Sequence, residues 1–181
     1  MTKDILIIVD PQIDFTTKEG SLYVPGAELA MQNLAEFINK YEFDSIIVTC
    51  DWHPINHCSF KENGGDWLTH CVGYTKGAAL DPTLCKTLLH KNFEVYEKGL
   101  YLENYSFLDD SDNKEIFTDS VSSDSRIYIA GVAGDYCVFY TILDLIEFGY
   151  TNLVILQNCI ASFDGGSALN DIINEYNLNR I

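Results

Sequence analysis

The feature that most constrains this chain is an apolar strand that runs directly into a helix beginning with a cysteine. Arg126–Ala130 has the composition of a buried strand, Gly131–Val138 contains a turn of small residues, and Cys137 opens an amphipathic helix. In the first turn of a helix, backbone N–H groups lack intrahelical partners and the macrodipole is positive. Such a position favours the thiolate of a cysteine and can stabilise an oxyanion forming beside the sulfur. The segment therefore predicts a nucleophile, Cys137, at the end of a strand.

The rest of the chain alternates strand-like and helix-like segments. Continuous apolar runs, typical of strands buried on both faces of a parallel sheet, occupy Asp4–Val9, Ser45–Cys50, Phe93–Lys98, Arg126–Val132 and Asn152–Cys159. Helical patterns or caps occupy Ala27–Tyr41, Asp81–Leu89, Cys137–Phe148 and Ala168–Tyr176. This order predicts an α/β fold with three layers, α/β/α, around a mostly parallel open sheet with right-handed crossovers.

Length and charge narrow the class of protein. The 181 residues predict one domain, 1–181, large enough to bury a core. A formal charge of -16 disfavours nucleic acid and anionic membranes as partners. Six cysteines without a secretory signal argue against a disulfide framework, so we expect a cytoplasmic protein. The acidic run Asp109–Asp112 is interpreted as a solvated loop.

A second group of residues has the chemistry of a metal site. Asp51 and His53 are two apart, so an extended backbone directs both side chains to one face, and His70 can supply a third ligand. Two histidines and a carboxylate suit Zn²⁺ best, with Fe²⁺ and Mn²⁺ as alternatives, and leave positions open for water or substrate. His57 is either a fourth ligand or an outer-shell partner of a ligand. The alternative is a polar loop with surface histidines, while His90 joins no cluster.

Two charged residues also lie at predicted strand ends, where ligands bind in open α/β sheets. Asp10 ends the first strand and is either the proton acceptor for a thiol or a turn aspartate. Lys98 could keep Asp10 ionised and stabilise a thiolate, or it could simply be solvated. Phe15, Trp67 and Tyr105 could wall an aromatic-sized pocket near the same strand ends, or belong to the core.

The motifs together resemble the nicotinamidase/pyrazinamidase group of the isochorismatase-like cysteine hydrolase superfamily. They match in order and spacing over residues 5 to about 165, through Asp10–Phe15, Asp51–Phe60, Trp67–Cys71, Lys98–Gly99 and Gly131–Val138. The resemblance implies a metal-dependent amidohydrolase that converts nicotinamide to nicotinate and ammonia in NAD salvage, and that also accepts pyrazinamide.

The resemblance also implies roles for individual residues. Asp10, Lys98 and Cys137 would form the catalytic triad. The N–H groups of Ala133 and Cys137 would form the oxyanion hole, beside a cis Val132–Ala133 peptide. Asp51, His53 and His70 would bind the divalent metal, and Phe15, Leu22, Trp67 and Tyr105 would wall the site for the small-molecule substrate.

The chain departs from the group in three places. Leu68 stands where many relatives have proline, and Gly134 stands where many have threonine. Few residues remain for a sixth strand, which we expect near Asn179 as a short or missing element. The alternatives for function are another superfamily amidase acting on an N-carbamoyl or ureido substrate, or a non-catalytic binding module on the same fold. The sequence leaves open whether the chain forms a homo-oligomer.

Overall fold

The fold is built on a six-stranded sheet with strand order β3-β2-β1-β4-β5-β6, in which every neighbouring pair is parallel. The structure is a computed structural model that describes residues 2–181. The strands are β1 (Asp4–Val9), β2 (Ser45–Asp51), β3 (Phe93–Lys98), β4 (Arg126–Val132), β5 (Leu153–Ala161) and β6 (Asn179–Arg180). The sixth strand is only two residues long, as expected.

Helices cover both faces of the sheet. They are α1 (Ile13–Thr16), α2 (Ala27–Lys40), α3 (Pro82–Leu88), α4 (Ser111–Ser120), α5 (Cys137–Glu147) and α6 (Ser167–Glu175), with single 3₁₀ turns at Lys61–Asn63 and Phe107–Asp109. Buried residues of α2 and α3 join one hydrophobic cluster, and those of α4, α5 and α6 join a second on the opposite face. The predicted three-layer architecture is confirmed.

The first strand shows why these apolar runs are continuous. Leu6 and Ile8 belong to one hydrophobic cluster, whereas Ile5, Ile7 and Val9 belong to the other. Successive side chains of a strand point to opposite faces, so a strand covered by helices on both sides requires apolar residues at every position. All five side chains are at most 2% exposed.

One sequence interpretation was wrong. The acidic run at 109–112 is largely exposed, as expected, but it is not a loop, because Asp110 caps α4 by accepting hydrogen bonds from the N–H groups of Asp112 and Asn113, each at 3.0 Å. Only Phe117 of this helix is buried, so its apolar periodicity is too weak to identify it in the sequence. The predicted cap at Asp81 is confirmed, with N–H donors from Thr83 and Leu84.

The topology concentrates polar residues at one edge of the sheet. Strand order reverses direction between β1 and β4, and ligands bind outside the carboxyl ends of the strands at such a switch point. Asp10 follows β1, Asp51 and Lys98 end β2 and β3, and Cys137 begins α5 after β4. All six cysteines are free, and no helix within residues 2–181 is long and apolar enough to cross a membrane.

Candidate active site

The ammonium group of Lys98 lies at the centre of the site. It is 3.0 Å from Asp10 Oδ2, donates a short hydrogen bond to Asp51 Oδ1, and lies 3.6 Å from the sulfur of Cys137. A further bond reaches the carbonyl of Asn104 at 3.2 Å. The lysine side chain is fully buried, so two carboxylates compensate a cation that would otherwise be costly in this interior. The structure thus brings Asp10, Lys98 and Cys137 together.

One carboxylate oxygen of Asp10 is hydrogen-bonded to a side chain, and the other is paired only with Lys98. Its backbone lies in the left-handed region (φ 47), which is uncommon outside glycine and turns the chain out of β1. Oδ1 accepts a hydrogen bond from the hydroxyl of Thr49 at 2.7 Å. Oδ2 has no hydrogen-bond partner among the described residues apart from the ion pair with Lys98. Carboxylate oxygens of Asp10 and Asp51 and the sulfur of Cys137 all lie within 4.8 Å of one another, so Asp10 can take the thiol proton.

The charges around Asp10 and Cys137 differ from the expectation that the helix start favours a thiolate. Burial, opposed by Lys98, raises the pKa of Cys137 well above its usual range, and the negative charge of Asp10 adds to the increase. The cysteine at the helix start is therefore a thiol at rest rather than a preformed thiolate. Burial also raises the pKa of Asp10, against the opposing charge of Lys98. A carboxylate with raised pKa is a stronger base, which suits removal of this proton during attack.

Lys98 and Asp51 form the charged pair of the site. Burial acts to lower the pKa of Lys98, but Asp10 and Asp51 outweigh it and raise that pKa well above its ordinary value. Burial opposes ionisation of Asp51, yet Lys98 and the two neighbouring imidazoles hold the pKa of that carboxyl well below its usual range. Asp51 is therefore an ionised carboxylate.

The turn before Cys137 depends on close backbone packing. Gly131 has φ 120, and a Cβ there would lie 2.1 Å from the carbonyl oxygen of Val9. The Val132–Ala133 peptide is cis, as the resemblance implies. The carbonyl of Ala133 accepts hydrogen bonds from the N–H groups of Tyr136 and Val138, each at 3.0 Å, and this closes the turn onto α5.

Gly134 is also enclosed, which accounts for the departure noted in the sequence. A Cβ at this position would lie 2.2 Å from the hydroxyl of Ser162 and 3.0 Å from Ile160. The serine hydroxyl thus fills the volume that a side chain at 134 would need. In this chain the turn tolerates no residue larger than glycine unless Ser162 moves.

Asp51, His53 and His70 converge as a candidate metal site. The Nε2 atoms of His53 and His70 lie 3.5 and 3.7 Å from Asp51 Oδ2, and all three residues are buried. The Nδ1 atoms face backbone carbonyls, of Gly99 for His53 and of Leu68 for His70, each at 2.6 Å. Because a carbonyl can only accept, each Nδ1 is oriented to donate to it, and each Nε2 faces Asp51, where a bound metal would take its lone pair.

These residues fit a divalent metal. Two imidazole nitrogens and one carboxylate oxygen are the donor set that Zn²⁺, Fe²⁺ and Mn²⁺ accept. Gly99 makes the orientation of His53 possible: its φ is 70, and a Cβ there would lie 2.4 Å from the imidazole ring.

His57 lies next to this group but makes different contacts. Its Nδ1 accepts from the N–H of Ser59 at 3.3 Å and lies 2.7 Å from the hydroxyl of the same serine. Its Nε2 faces the carbonyl of Leu102 at 3.2 Å, and its ring stacks on that of His53 at 4.2 Å. Both nitrogens have protein partners, which favours the outer-shell role. Direct ligation by His57 stays a prediction.

An aromatic pocket opens above these groups. All four wall residues proposed from the resemblance line it, namely Phe15, Leu22, Trp67 and Tyr105, together with Ala133. Sequence reasoning missed five further lining residues: Ser59, Glu103, Asn104, Tyr136 and Phe163. Tyr136 directly precedes Cys137 and Phe163 follows the end of β5, so the strand-end rule could have identified both.

Two groups of residues make up the candidate site, and of the first group Asp10 and Lys98 do not line the pocket itself. We call Asp10, Asp51, His53, His70, Lys98 and Cys137 the site floor. We call Trp67, Glu103, Tyr105 and Phe163 the pocket rim. The rings of Trp67 and Phe163 lie 6.3 Å apart at an interplanar angle of 30°, so they border the same opening.

Comparison with known protein families identifies the class to which this chain belongs. Residues 4–174 match the isochorismatase domain family, and the chain belongs to that family. Within it, the chain is similar to nicotinamidases: that of Acinetobacter baylyi is 32% identical over 188 residues, which cover 90% of this chain and 83% of the relative.

Two solved structures of similar sequence share the fold of this chain. PnC1 from L. infantum, determined in complex with nicotinate, superimposes with a TM-score of 0.87 at 31% identity, covering 99% of this chain and 92% of that one. The pyrazinamidase of Pyrococcus horikoshii, determined in complex with zinc, superimposes with a TM-score of 0.83 at 32% identity, covering 99% and 98%.

Proposed function

We propose that this protein hydrolyses nicotinamide to nicotinate and ammonia through a thioester on Cys137. The observation that carries the proposal is the buried contact of Lys98 with Asp10, Asp51 and Cys137. This contact supports the proposal because it brings a thiol, a carboxylate and a candidate metal ligand together beneath one aromatic pocket. The relatives described above, which are named for action on nicotinamide or pyrazinamide, support the same substrate class.

The first half of the reaction forms the thioester. Asp10 takes the thiol proton while the sulfur of Cys137 bonds to the carboxamide carbon, and the carbonyl electron pair moves onto oxygen. The backbone N–H groups of Ala133 and Cys137 stabilise this oxyanion. As this oxyanion collapses, the carbon–nitrogen bond breaks and Asp10 returns the proton to the nitrogen, which leaves as ammonia. Lys98 keeps the charge of the site compensated.

The second half regenerates the thiol. Asp10 takes a proton from water as the water oxygen bonds to the thioester carbon. Collapse of the second oxyanion breaks the carbon–sulfur bond, and the sulfur recovers the proton. Asp10 thus acts in turn as base and acid, as its raised pKa allows.

Asp51, His53 and His70 would hold the divalent metal, Zn²⁺ by preference and Fe²⁺ or Mn²⁺ as alternatives. When bound, such an ion supplies a Lewis acid for a ring nitrogen of the substrate. The protein's own contribution is to fix both imidazoles through the carbonyls of Gly99 and Leu68.

We further propose one hydrolase domain over residues 1–181 that acts in NAD salvage in the cytoplasm and also accepts pyrazinamide. Six free thiols suit a reducing compartment.

The test is ammonia release from nicotinamide by the purified protein, with and without a metal chelator. We expect release that is lost on chelation and restored by added Zn²⁺, Fe²⁺ or Mn²⁺. The variant Cys137→Ala should release none, whereas Cys85→Ala, which removes an exposed thiol outside the site, should match the wild type. An active Cys137→Ala protein would refute the mechanism. Release from an N-carbamoyl amine but not from nicotinamide would identify a different amidase.

A further inference from the structure

The pocket rim contains a carboxylate that the proposed reaction does not use. Glu103 lines the pocket, and its Oε1 accepts hydrogen bonds from the indole N–H of Trp67 at 2.7 Å and from the hydroxyl of Tyr105 at 2.6 Å. Trp67 Nε1 also lies 3.3 Å from the Tyr105 hydroxyl oxygen. One carboxylate oxygen therefore joins two walls that come from separate loops.

These bonds have a defined direction. Indole can only donate, and a carboxylate can only accept. Burial and the bond to Glu103 raise the pKa of Tyr105, so its hydroxyl keeps the proton and donates. Both polar atoms of the two rings are occupied by Glu103, and the rings present their π faces, without free donors, to a ligand.

The same carboxylate adds negative charge to the pocket. Ligands of the proposed reaction differ in charge, because nicotinamide is neutral whereas nicotinate is an anion at neutral pH. An anion entering this pocket meets Glu103 at the rim, and among the lining residues no lysine or arginine compensates that charge. A charge a few ångströms away in a partly solvated site repels another modestly, by a factor of about three to ten in affinity.

We propose that Glu103 is a positioning and specificity-determining residue, which fixes Trp67 and Tyr105 and weakens binding of the anionic product relative to the neutral substrate. This inference rests on the proposed function only for the choice of ligands. By disfavouring nicotinate, the rim limits product inhibition without touching the reacting atoms.

The test separates charge from geometry with two substitutions. Glu103→Gln keeps a carbonyl oxygen that can accept from both rings but removes the charge. Glu103→Ala removes the charge and the acceptor. Glu115→Gln is the matched control, since it removes the same charge from an exposed position on α4. Each is made in a Cys137→Ala background, loaded with Zn²⁺, so that nicotinamide and nicotinate both bind without turnover and calorimetry gives both dissociation constants.

We expect Glu103→Gln to lower the ratio of the nicotinate to the nicotinamide dissociation constant about three- to tenfold, and Glu115→Gln to leave it within twofold. Glu103→Ala should lower the ratio similarly and also bind nicotinamide more weakly than Glu103→Gln does, because the two rings lose their shared acceptor. The inference is overturned by an unchanged ratio in Glu103→Gln, or by an equal fall in Glu115→Gln. Because binding is measured without turnover, lack of ammonia release by the parent would refute the proposed reaction and leave this result intact.

Discussion

The site floor and the pocket rim are built by different physical means. In the floor, Asp10 and Lys98 are at most 1% exposed, and each charge has a partner of opposite sign. In the rim, Phe163 is 37% exposed, and Glu103 holds two rings through bonds that water can also reach. In the floor, buried ion pairs fix the positions of the side chains. In the rim, a few exposed hydrogen bonds and ring contacts do so.

This difference predicts how each part responds to change. Removing one buried charge leaves its partner uncompensated, at a cost of about 3–5 kcal/mol. Removing one exposed contact costs less, because solvent replaces what is lost. A single substitution in the floor should therefore strongly lower both stability and activity. A single substitution in the rim should change ligand binding only modestly.

The largest effect is expected for Lys98→Met. The substitution leaves Asp10 and Asp51 buried without their cation, so the free energy of unfolding should fall by about 3–5 kcal/mol and ammonia release should be lost. Urea unfolding measures the first and the ammonia assay the second. The control is Lys40→Met, which breaks an exposed pair with Glu36 and should cost about 0.5 kcal/mol or less. Equal losses in both variants would show that burial does not distinguish the two lysines.

The next effect concerns the metal. His70→Ala removes one of three converging donors, so metal affinity should fall by at least the 10–100-fold that outer-shell changes cause. Metal content after dialysis measures this directly, with the wild type expected to hold one ion per chain. His90→Ala is the control, because His90 is exposed and remote from the cluster. Full metal retention by His70→Ala would remove that residue from the ligand set.

A smaller effect is expected from pH. Asp10 must be ionised to take the thiol proton, so kcat/KM should increase with pH as Asp10 deprotonates. Since burial raises this pKa, the limb should lie above the ordinary 3.8, with activity falling about tenfold per pH unit below it. The group is coupled to its neighbours, so the limb reports the apparent value of the cluster. A limb at or below 3.8 would contradict the raised pKa.

The same difference between floor and rim explains how well the sequence predicts each of them. The floor was predictable because Asp10, Asp51 and Lys98 lie at strand ends, and parallel strands bring such ends to one edge. The rim was only partly predictable. Glu103 and Phe163 come from loops whose mutual packing depends on three-dimensional contacts and has no periodicity in the sequence.

The pKa of Cys137 shows the limit of local reasoning even in the floor. A cysteine at a helix start predicts a thiolate from the helix alone. In the folded protein, burial beside Asp10 opposes that effect and leaves a thiol. Local sequence specifies the position of a group, whereas the charges around it depend on the assembled site.

The smallest effect is expected at the rim, for Phe163→Leu. The Phe163 ring lies 6.3 Å from Trp67 and 6.2 Å from Tyr136, and Asp135 holds its loop through a 3.0 Å bond to the Phe163 N–H. Leucine keeps an apolar wall but loses the ring contacts, which are worth about 0.5–1 kcal/mol, so KM for nicotinamide should increase about two- to fivefold.

The Phe163→Leu substitution should leave the floor intact, so kcat and the acid limb of the pH profile should be unaltered. Phe43→Leu is the matched control, because Phe43 packs on Tyr41 and Tyr128 outside the pocket and should affect stability without changing KM. If Phe163→Leu lowered kcat a hundredfold with KM unchanged, Phe163 would act on the reacting atoms, and the separation between floor and rim would not hold. A change confined to KM would instead show that the rim governs substrate binding and the floor the chemistry.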